Sequence, residues 1–147
     1  MNKWDLRYMA LARHVAQWSK DPSTKVGAVL VGVDRKKIAL GYNGFPKGVK
    51  DDPSRLENRE TKYVFTQHAE RNVLDNADFN TVGATLAVTM HPCHECAKSI
   101  VSKGIFRVIC PPAPDREPWK SSAKWTAEMF KEAGVELVLT SDVDSVT

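Results

Sequence analysis

Residues 84–104, ATLAVTMHPCHECAKSIVSKG, decide how the chain is read. Residues 84–90 form a short apolar run of the length and composition of a buried strand. His91 and Pro92 end it, and residues 94–103 read as a helix that Gly104 closes. A strand feeding a helix in this way sets Cys93 and Cys96 at the helix start, where the helix dipole favours negative charge. Two thiols in a Cys-x-x-Cys turn reach one ion, although such a turn alone also occurs in redox and structural metal sites.

The second half of the pattern lies upstream, in His68-Ala69-Glu70. One imidazole and two thiolates form a donor set suited to zinc. Three protein ligands leave one tetrahedral position open, as catalytic zinc sites do. The set is formally neutral with Zn2+, so it acidifies water less than a tris-imidazole site would and leans on a general base. Glu70, two residues from His68, is placed for that role. A glutamate in a first helical turn otherwise serves the helix dipole. His91 and His94 compete as ligands on composition alone. Both are assigned to the pocket instead, since a side chain inside a Cys-x-x-Cys turn often points away from the metal.

The chain has 147 residues and a net charge of +3, with basic and acidic residues interspersed. That length predicts a single domain over residues 1–147, with a frayed tail at 141–147. The charge lacks the dense basic stripe of proteins that grip long nucleic acids, so no stable nucleic-acid partner is expected. No apolar run approaches the length of a membrane helix. The first residues show no signal-peptide core, which predicts a cytoplasmic protein whose thiols stay reduced. Cys110 ends an apolar run and reads as a buried, inert thiol.

Around the two motifs, Trp4, Tyr8, Leu11, Val15 and Trp18 follow helical spacing, and these aromatics are expected to pack in the core. Residues 26–33 and 37–41 read as a hairpin turning at 34–36. Residues 42–63 show no convincing period and carry many charges; a connection this long is usually functional or disordered. A helical pattern resumes over 66–76. Residues 105–110 read as a strand, 111–118 as a proline-stiffened loop, and a helix capped by Ser121 or Ser122 runs to Ala133 before a last strand at 135–140. The sum is an α/β fold: a mixed five-stranded sheet with helices on both faces in three α/β/α layers. Its metal ligands lie at the starts of helices that follow strands.

The His-x-Glu…Pro-Cys-x-x-Cys arrangement resembles the signature of zinc-dependent nucleobase deaminases. The resemblance narrows over about residues 5–140. Residues 19–28 (SKDPSTKVGA), 41–48 (GYNGFPKG), Thr61-Lys62-Tyr63 and Pro92-Cys93-His94-Glu95-Cys96-Ala97-Lys98 are similar to the deoxycytidylate (dCMP) deaminase family, in its short phage and bacterial form. The Gly-Tyr-Asn-Gly-x-Pro-x-Gly loop is the most discriminating part. tRNA adenosine deaminases differ there, and free-cytidine deaminases usually begin the metal motif with Cys where this chain has His68.

That resemblance implies a cytidine-deaminase-like fold and hydrolysis of dCMP to dUMP and ammonia for thymidylate synthesis. It further implies a homohexamer activated by dCTP and inhibited by dTTP with Mg2+, in the host cytoplasm where the gene is phage-encoded. Glu70 would move protons from water to the ring nitrogen and the departing ammonia. Asn43 resembles the asparagine that holds the sugar, although Asn-Gly is also a turn signal. Backbone at Ala69 and residues 90–92 would frame the base. Thr24, Lys25 and His94 are candidate phosphate donors. The charged segment is the candidate effector site, through Tyr42, Gly44, Phe45, Lys47, Lys50, Arg55, Arg59 and Lys62, with carboxylates to help hold hydrated Mg2+. Two departures stand out. Many relatives have a tyrosine before the last helix where this chain has Trp119, which either stacks on a base or packs. With three cysteines, one zinc per subunit is expected. A dual dCMP/dCTP deaminase, a tRNA or polynucleotide deaminase and a zinc-stabilised interaction module remain alternatives.

Overall fold

The computed structural model describes residues 1–141. Its helices are α1 (Lys3–Ala16), α2 (Pro53–Glu57), α3 (Arg59–Phe65), α4 (Ala69–Asn76), α5 (His94–Ser102) and α6 (Trp119–Ala133). Its strands are β1 (Gly27–Val31), β2 (Ile38–Tyr42), β3 (Thr85–Val88), β4 (Arg107–Cys110) and β5 (Glu136–Leu139). The strands form one mixed sheet in the order β2-β1-β3-β4-β5. β1 runs antiparallel to both β2 and β3, and β3, β4 and β5 are parallel. The expected α/β sheet with five strands is therefore present. The terminal positions 142–147 of the expected frayed tail lie outside the described residues.

Strand alternation divides the core into two layers. Val29, Val31, Ala87 and Ile109 face α1 through Met9 and Ala12. Ala28, Leu30, Leu86, Val88, Val108 and Cys110 face the other way, against Ala69, Val73 and Leu74 of α4, Ala97 and Ile100 of α5 and Phe130 of α6. Cys110 is fully buried, and burial pushes its thiol up to about 12, as expected of an inert core cysteine.

Five local expectations are corrected. The buried face of α1 is Asp5, Met9, Ala12, Val15 and Ala16, while Trp4 and Trp18 are 43% and 49% exposed. Ala12 and Ala16 make the contact with β1 because the backbones nearly touch there: a Cβ on Gly27 would lie 2.0 Å from the Ala12 carbonyl oxygen. The segment 42–63 is not wholly irregular. Pro53 occupies the first turn of α2, and Asn58 caps α3 by accepting from the Thr61 amide at 3.0 Å. The pattern from 66 to 76 is split, since Thr66 ends α3 and α4 begins only at Ala69. Helix α6 begins at Trp119, ahead of both serines, with Glu117 accepting from the Ser121 amide at 2.7 Å. In the hairpin, β1 is shorter than the run at 26–33, and β2 is shifted one residue on from 37–41.

One ion pair ties α1 to the sheet. Asp5 completes a capping box with Asn2, and Arg107 of β4 grips both its carboxylate oxygens at 2.6 Å. Arg107 holds the Asp5 carboxyl below its usual range, against the opposing effect of burial. Because the folded-state pKa is depressed, this stabilisation is present above the unfolded value of about 3.9 and is lost as pH falls through the folded value. Asp5→Asn is expected to cost about 2–3 kcal/mol at pH 7 in urea unfolding. That is less than for a fully buried pair, because the Arg107 side chain stays 20% exposed and keeps Glu136. The gap between wild type and variant should narrow below about pH 4; a gap independent of pH would refute the assignment.

Candidate functional site

Two helix starts meet at the candidate metal centre. His68 is the N-cap residue of α4 and Cys93 that of α5, where its sulfur accepts from the Cys96 amide at 3.4 Å. His68 Nδ1 lies 3.3 Å from Cys96 Sγ and 3.6 Å from Cys93 Sγ. All three donor atoms fall within 4.8 Å of one another. One nitrogen and two sulfurs at that separation suit a single Zn2+ with bonds of about 2.0–2.3 Å. Pro92, between strand and helix, is fixed by Thr126 of α6, whose buried hydroxyl donates to its carbonyl at 3.0 Å.

The electrostatics fit a metal-binding pair of sulfurs. Cys93 is held at about 3 by the adjacent Cys96, with His68 and the Cys96 amide adding to the effect. Cys96 is pushed up by that negative neighbour and by burial. Hydrogen bonding to Cys93 raises His68. A dication at this point would take the place of the protons that His68 and Cys96 otherwise hold. Glu70, in the first turn of α4, is 4% exposed, and burial pushes it up to about 7. It can therefore hold or release a proton near neutrality, although a neighbouring dication draws that value down.

A cavity of about 240 Å³ opens onto these groups. Thr24, Asn43, His68, Ala69, Glu70, His91, Cys93 and Trp119 all line it, while Cys96 lies buried behind. Asn43 is held tightly: its Oδ1 accepts from the Val26 amide at 2.8 Å, and its Nδ2 donates to the Thr24 carbonyl at 2.9 Å. His91 Nδ1 lies 3.1 Å from the Pro92 carbonyl, which can only accept, so Nδ1 carries the hydrogen. Burial lowers its pKa, so the ring is neutral at neutral pH, with Nε2 as an acceptor. The Arg116 guanidinium stacks 5.0 Å from the Trp119 ring centroid.

Two expected pocket residues stand apart. Lys25 turns its ammonium onto the Ser19 carbonyl, away from the cavity lining. His94 packs on α6, where Ser122 Oγ lies 3.0 Å from its Nδ1 and accepts from its backbone amide at 2.9 Å. In the charged segment, Tyr42 packs edge-on to Trp18, Phe45 stacks on Phe65 and Arg55 covers Phe65. Arg59 covers Tyr63, Gly44 bridges to Gln67, and Lys47 and Lys50 are exposed. Lys62 differs from the rest: it is 5% exposed, lines the cavity and pairs with Asp21 at 3.1 Å. The sequence reading missed Asp21, Ser23, Tyr63, Ser122 and Ala123 as lining residues. The Asp-Pro-Ser-Thr turn held the signal for the first two, because an Asx turn folds Asp21 back on the amides of Ser23 and Thr24.

A three-layer α/β/α fold with this donor set and a buried glutamate defines the class of zinc-dependent deaminases. Residues 2–111 match the family described as "Cytidine and deoxycytidylate deaminase zinc-binding region". An Aliivibrio fischeri protein named "Uncharacterized deaminase in luxG 3'region" is 39% identical over 139 residues, covering 93% of each chain. The deoxycytidylate deaminase of Mus musculus is 41% identical over 141 residues, covering 90% of this chain and 77% of the mouse protein. Cyanophage S-TIM5 dCMP deaminase in complex with dCMP and dUMP superposes with a TM-score of 0.76 at 25% identity, over 95% of this chain and 99% of that one. The chain belongs to the cytidine and deoxycytidylate deaminase family and is an enzyme of that class.

The geometry separates holding metal from moving protons. Cys93→Ser is expected to lower zinc affinity by at least about tenfold, since it removes a ligand held at a helix start. Glu70→Gln should retain one zinc per chain by elemental analysis. Loss of zinc from Glu70→Gln would place that carboxylate in the coordination shell.

Proposed function

We propose that the chain hydrolyses dCMP to dUMP and ammonia as a single-domain, cytoplasmic enzyme that supplies dUMP for thymidylate synthesis. The observation that carries this reading is that His68 and Cys93, with Cys96 directly behind them, open onto one cavity with the buried Glu70 and the Asn43–Thr24 wall. The likeness to a structure holding dCMP and dUMP supports the same substrate.

Zinc held by His68, Cys93 and Cys96 supplies Lewis acidity toward water when bound. Glu70 takes a proton from water, returns it to the ring nitrogen and carries another to the departing amine. Its elevated pKa lets one carboxylate both accept and donate. Asn43, with both ends of its amide fixed, orients the sugar through its remaining N–H. Backbone at Ala69 and the neutral His91 frame the base, and Trp119 covers it from the start of α6.

The same reading includes activation by dCTP and inhibition by dTTP with Mg2+ through the charged segment. Gly44 and Gln67 exchange backbone hydrogen bonds at 3.1 and 2.8 Å, which fastens that segment directly before His68. The exposed Trp4, Leu6, Trp18 and Tyr42 offer apolar surface for a homohexamer.

The test is zinc-loaded protein assayed with dCMP, dCTP, deoxycytidine and a cytosine-containing oligonucleotide, with product quantified. Preferential turnover of dCMP is expected, raised by dCTP and lowered by dTTP with Mg2+. Glu70→Gln should cut kcat by about 10³-fold while the protein keeps its fold. Turnover of the oligonucleotide alone would overturn the reading in favour of a polynucleotide deaminase.

A further inference from the structure

Lys62 is the cavity's one lysine or arginine among the described lining residues. Its side chain is even more hidden than that of Asp21, with exposures of 6% and 9%. Burying such a pair removes two charges from water, and the geometry here is too sparse to compensate by itself. Among the described residues the one hydrogen-bond acceptor of the Lys62 ammonium is Asp21 Oδ1, at 3.1 Å. An ammonium has three N–H donors, so two lack an acceptor, and the Tyr63 ring 5.6 Å away adds a cation–π contact. A buried cation with unspent donors facing a cavity is costly unless something completes its shell.

Asp21 is already committed. The same Oδ1 accepts from the Ser23 amide at 2.8 Å and the Thr24 amide at 3.0 Å. Burial favours the neutral acid, but the Thr24 and Ser23 amides and the Lys62 ammonium outweigh it, and the carboxyl stays below its usual range. Its charge is thus spread over three donors, and Asp21 positions Lys62 without leaving a bare anion to repel a ligand. The wall continues by hydrogen bonds from Thr24 to Asn43. The metal donors and Glu70 fix where the reacting carbon of a pyrimidine must lie, and Lys62 lines the same cavity, open to another substituent of that ligand.

We infer that Lys62, held in place by Asp21, is the residue that selects a phosphorylated substrate, donating its two free N–H groups to the 5′-phosphate of a nucleoside monophosphate. This assignment rests on the proposed deaminase reading. It moves Lys62 from the effector site expected of the surrounding segment into the substrate site. Lys25, whose ammonium is engaged elsewhere, drops out of that role. The helix carrying Lys62 leads directly to the His68 turn, so a phosphate seated on Lys62 also orders the approach to the metal donors.

The experiment measures calorimetric binding of dUMP and of 2′-deoxyuridine to the zinc-loaded protein. It compares wild type, Lys62→Met, Lys62→Arg and the double variant Asp21→Asn/Lys62→Met. The double variant removes both buried charges together, so it decides the matter if the single variant fails to fold. Wild type is expected to bind dUMP far more tightly than deoxyuridine. Lys62→Met and the double variant should lose about 10- to 100-fold in dUMP affinity and leave deoxyuridine little changed. Lys62→Arg should recover part of the loss, and the turnover defect toward dCMP should fall mainly on KM. Equal losses for both ligands, or no loss for either, would overturn the inference and leave the deaminase reading standing. Wild type binding neither ligand would overturn both.

Discussion

The site depends on two helices that begin at the same point beside the sheet. β1 runs opposite to β2 and β3, so the ends of β2 and β3 and the beginning of β1 lie at one edge. Much of the cavity comes from that end of the sheet, through Thr24 and Val26 before β1, Asn43 after β2, Met90 after β3 and Ala113 after β4, and α3 and α6 add Lys62, Tyr63, Trp119, Ser122 and Ala123. The chain returns to it twice more, to begin α4 at His68 and α5 at Cys93. A helix start presents unpaired amides and a positive dipole end. Cys93 uses both, since its sulfur caps its own helix while serving as a candidate ligand. Moving either helix by one residue would separate His68 from the sulfurs, so sheet order and metal geometry are one constraint.

The same economy holds on the polar wall. Asn43 extends the pairing of β2 with β1 past the last ladder residue, its backbone amide donating to Val26 O and its side chain holding Thr24 and Val26. Ser19 then caps the arrangement by donating to the Asn43 carbonyl at 2.8 Å. A side chain whose polar atoms are fixed from behind presents the remaining donor at one angle only, which is what recognition of a sugar or phosphate requires. Gly41 lets this wall approach the metal helix, because a Cβ there would lie 2.5 Å from the Val73 amide nitrogen.

Much of this was legible in the chain because period and punctuation agree. The strand at residues 84–90, the Cys-x-x-Cys turn and the Gly104 stop each point to the same local structure, and the metal donors meet as the spacing implies. Where the reading failed, tertiary contact overrode a local signal. Trp4 and Trp18 carry the largest apolar surfaces near α1, yet the close approach of Gly27 to Ala12 and Ala16 turns the face with Met9, Ala12, Val15 and Ala16 to the sheet. Helices α2 and α3 are too short to show a period, and only their proline and asparagine starts mark them. Lys62 sits among exposed charges in the sequence, and nothing local distinguishes it from Lys47 or Lys50. Its burial arises from Asp21, 41 residues away.

That long-range pair sharpens what the cavity is built for. Glu70, Asp21 and Lys62 are all nearly buried, and among the described residues Asp5 is the one other charged side chain buried to that degree. Replacing such groups with apolar side chains of similar size is often neutral or stabilising, so stability does not explain their presence. Their three environments differ in kind. Burial leaves Glu70 able to gain or lose a proton, two amides and a cation keep Asp21 ionised, and Lys62 keeps donors to spare. A proton carrier and an Asp21-held ammonium lining one cavity match a ligand that changes protonation at one group and accepts hydrogen bonds at another. A free base would leave the ammonium unanswered. The charge layout of the cavity therefore fits a pyrimidine nucleotide better than a free base.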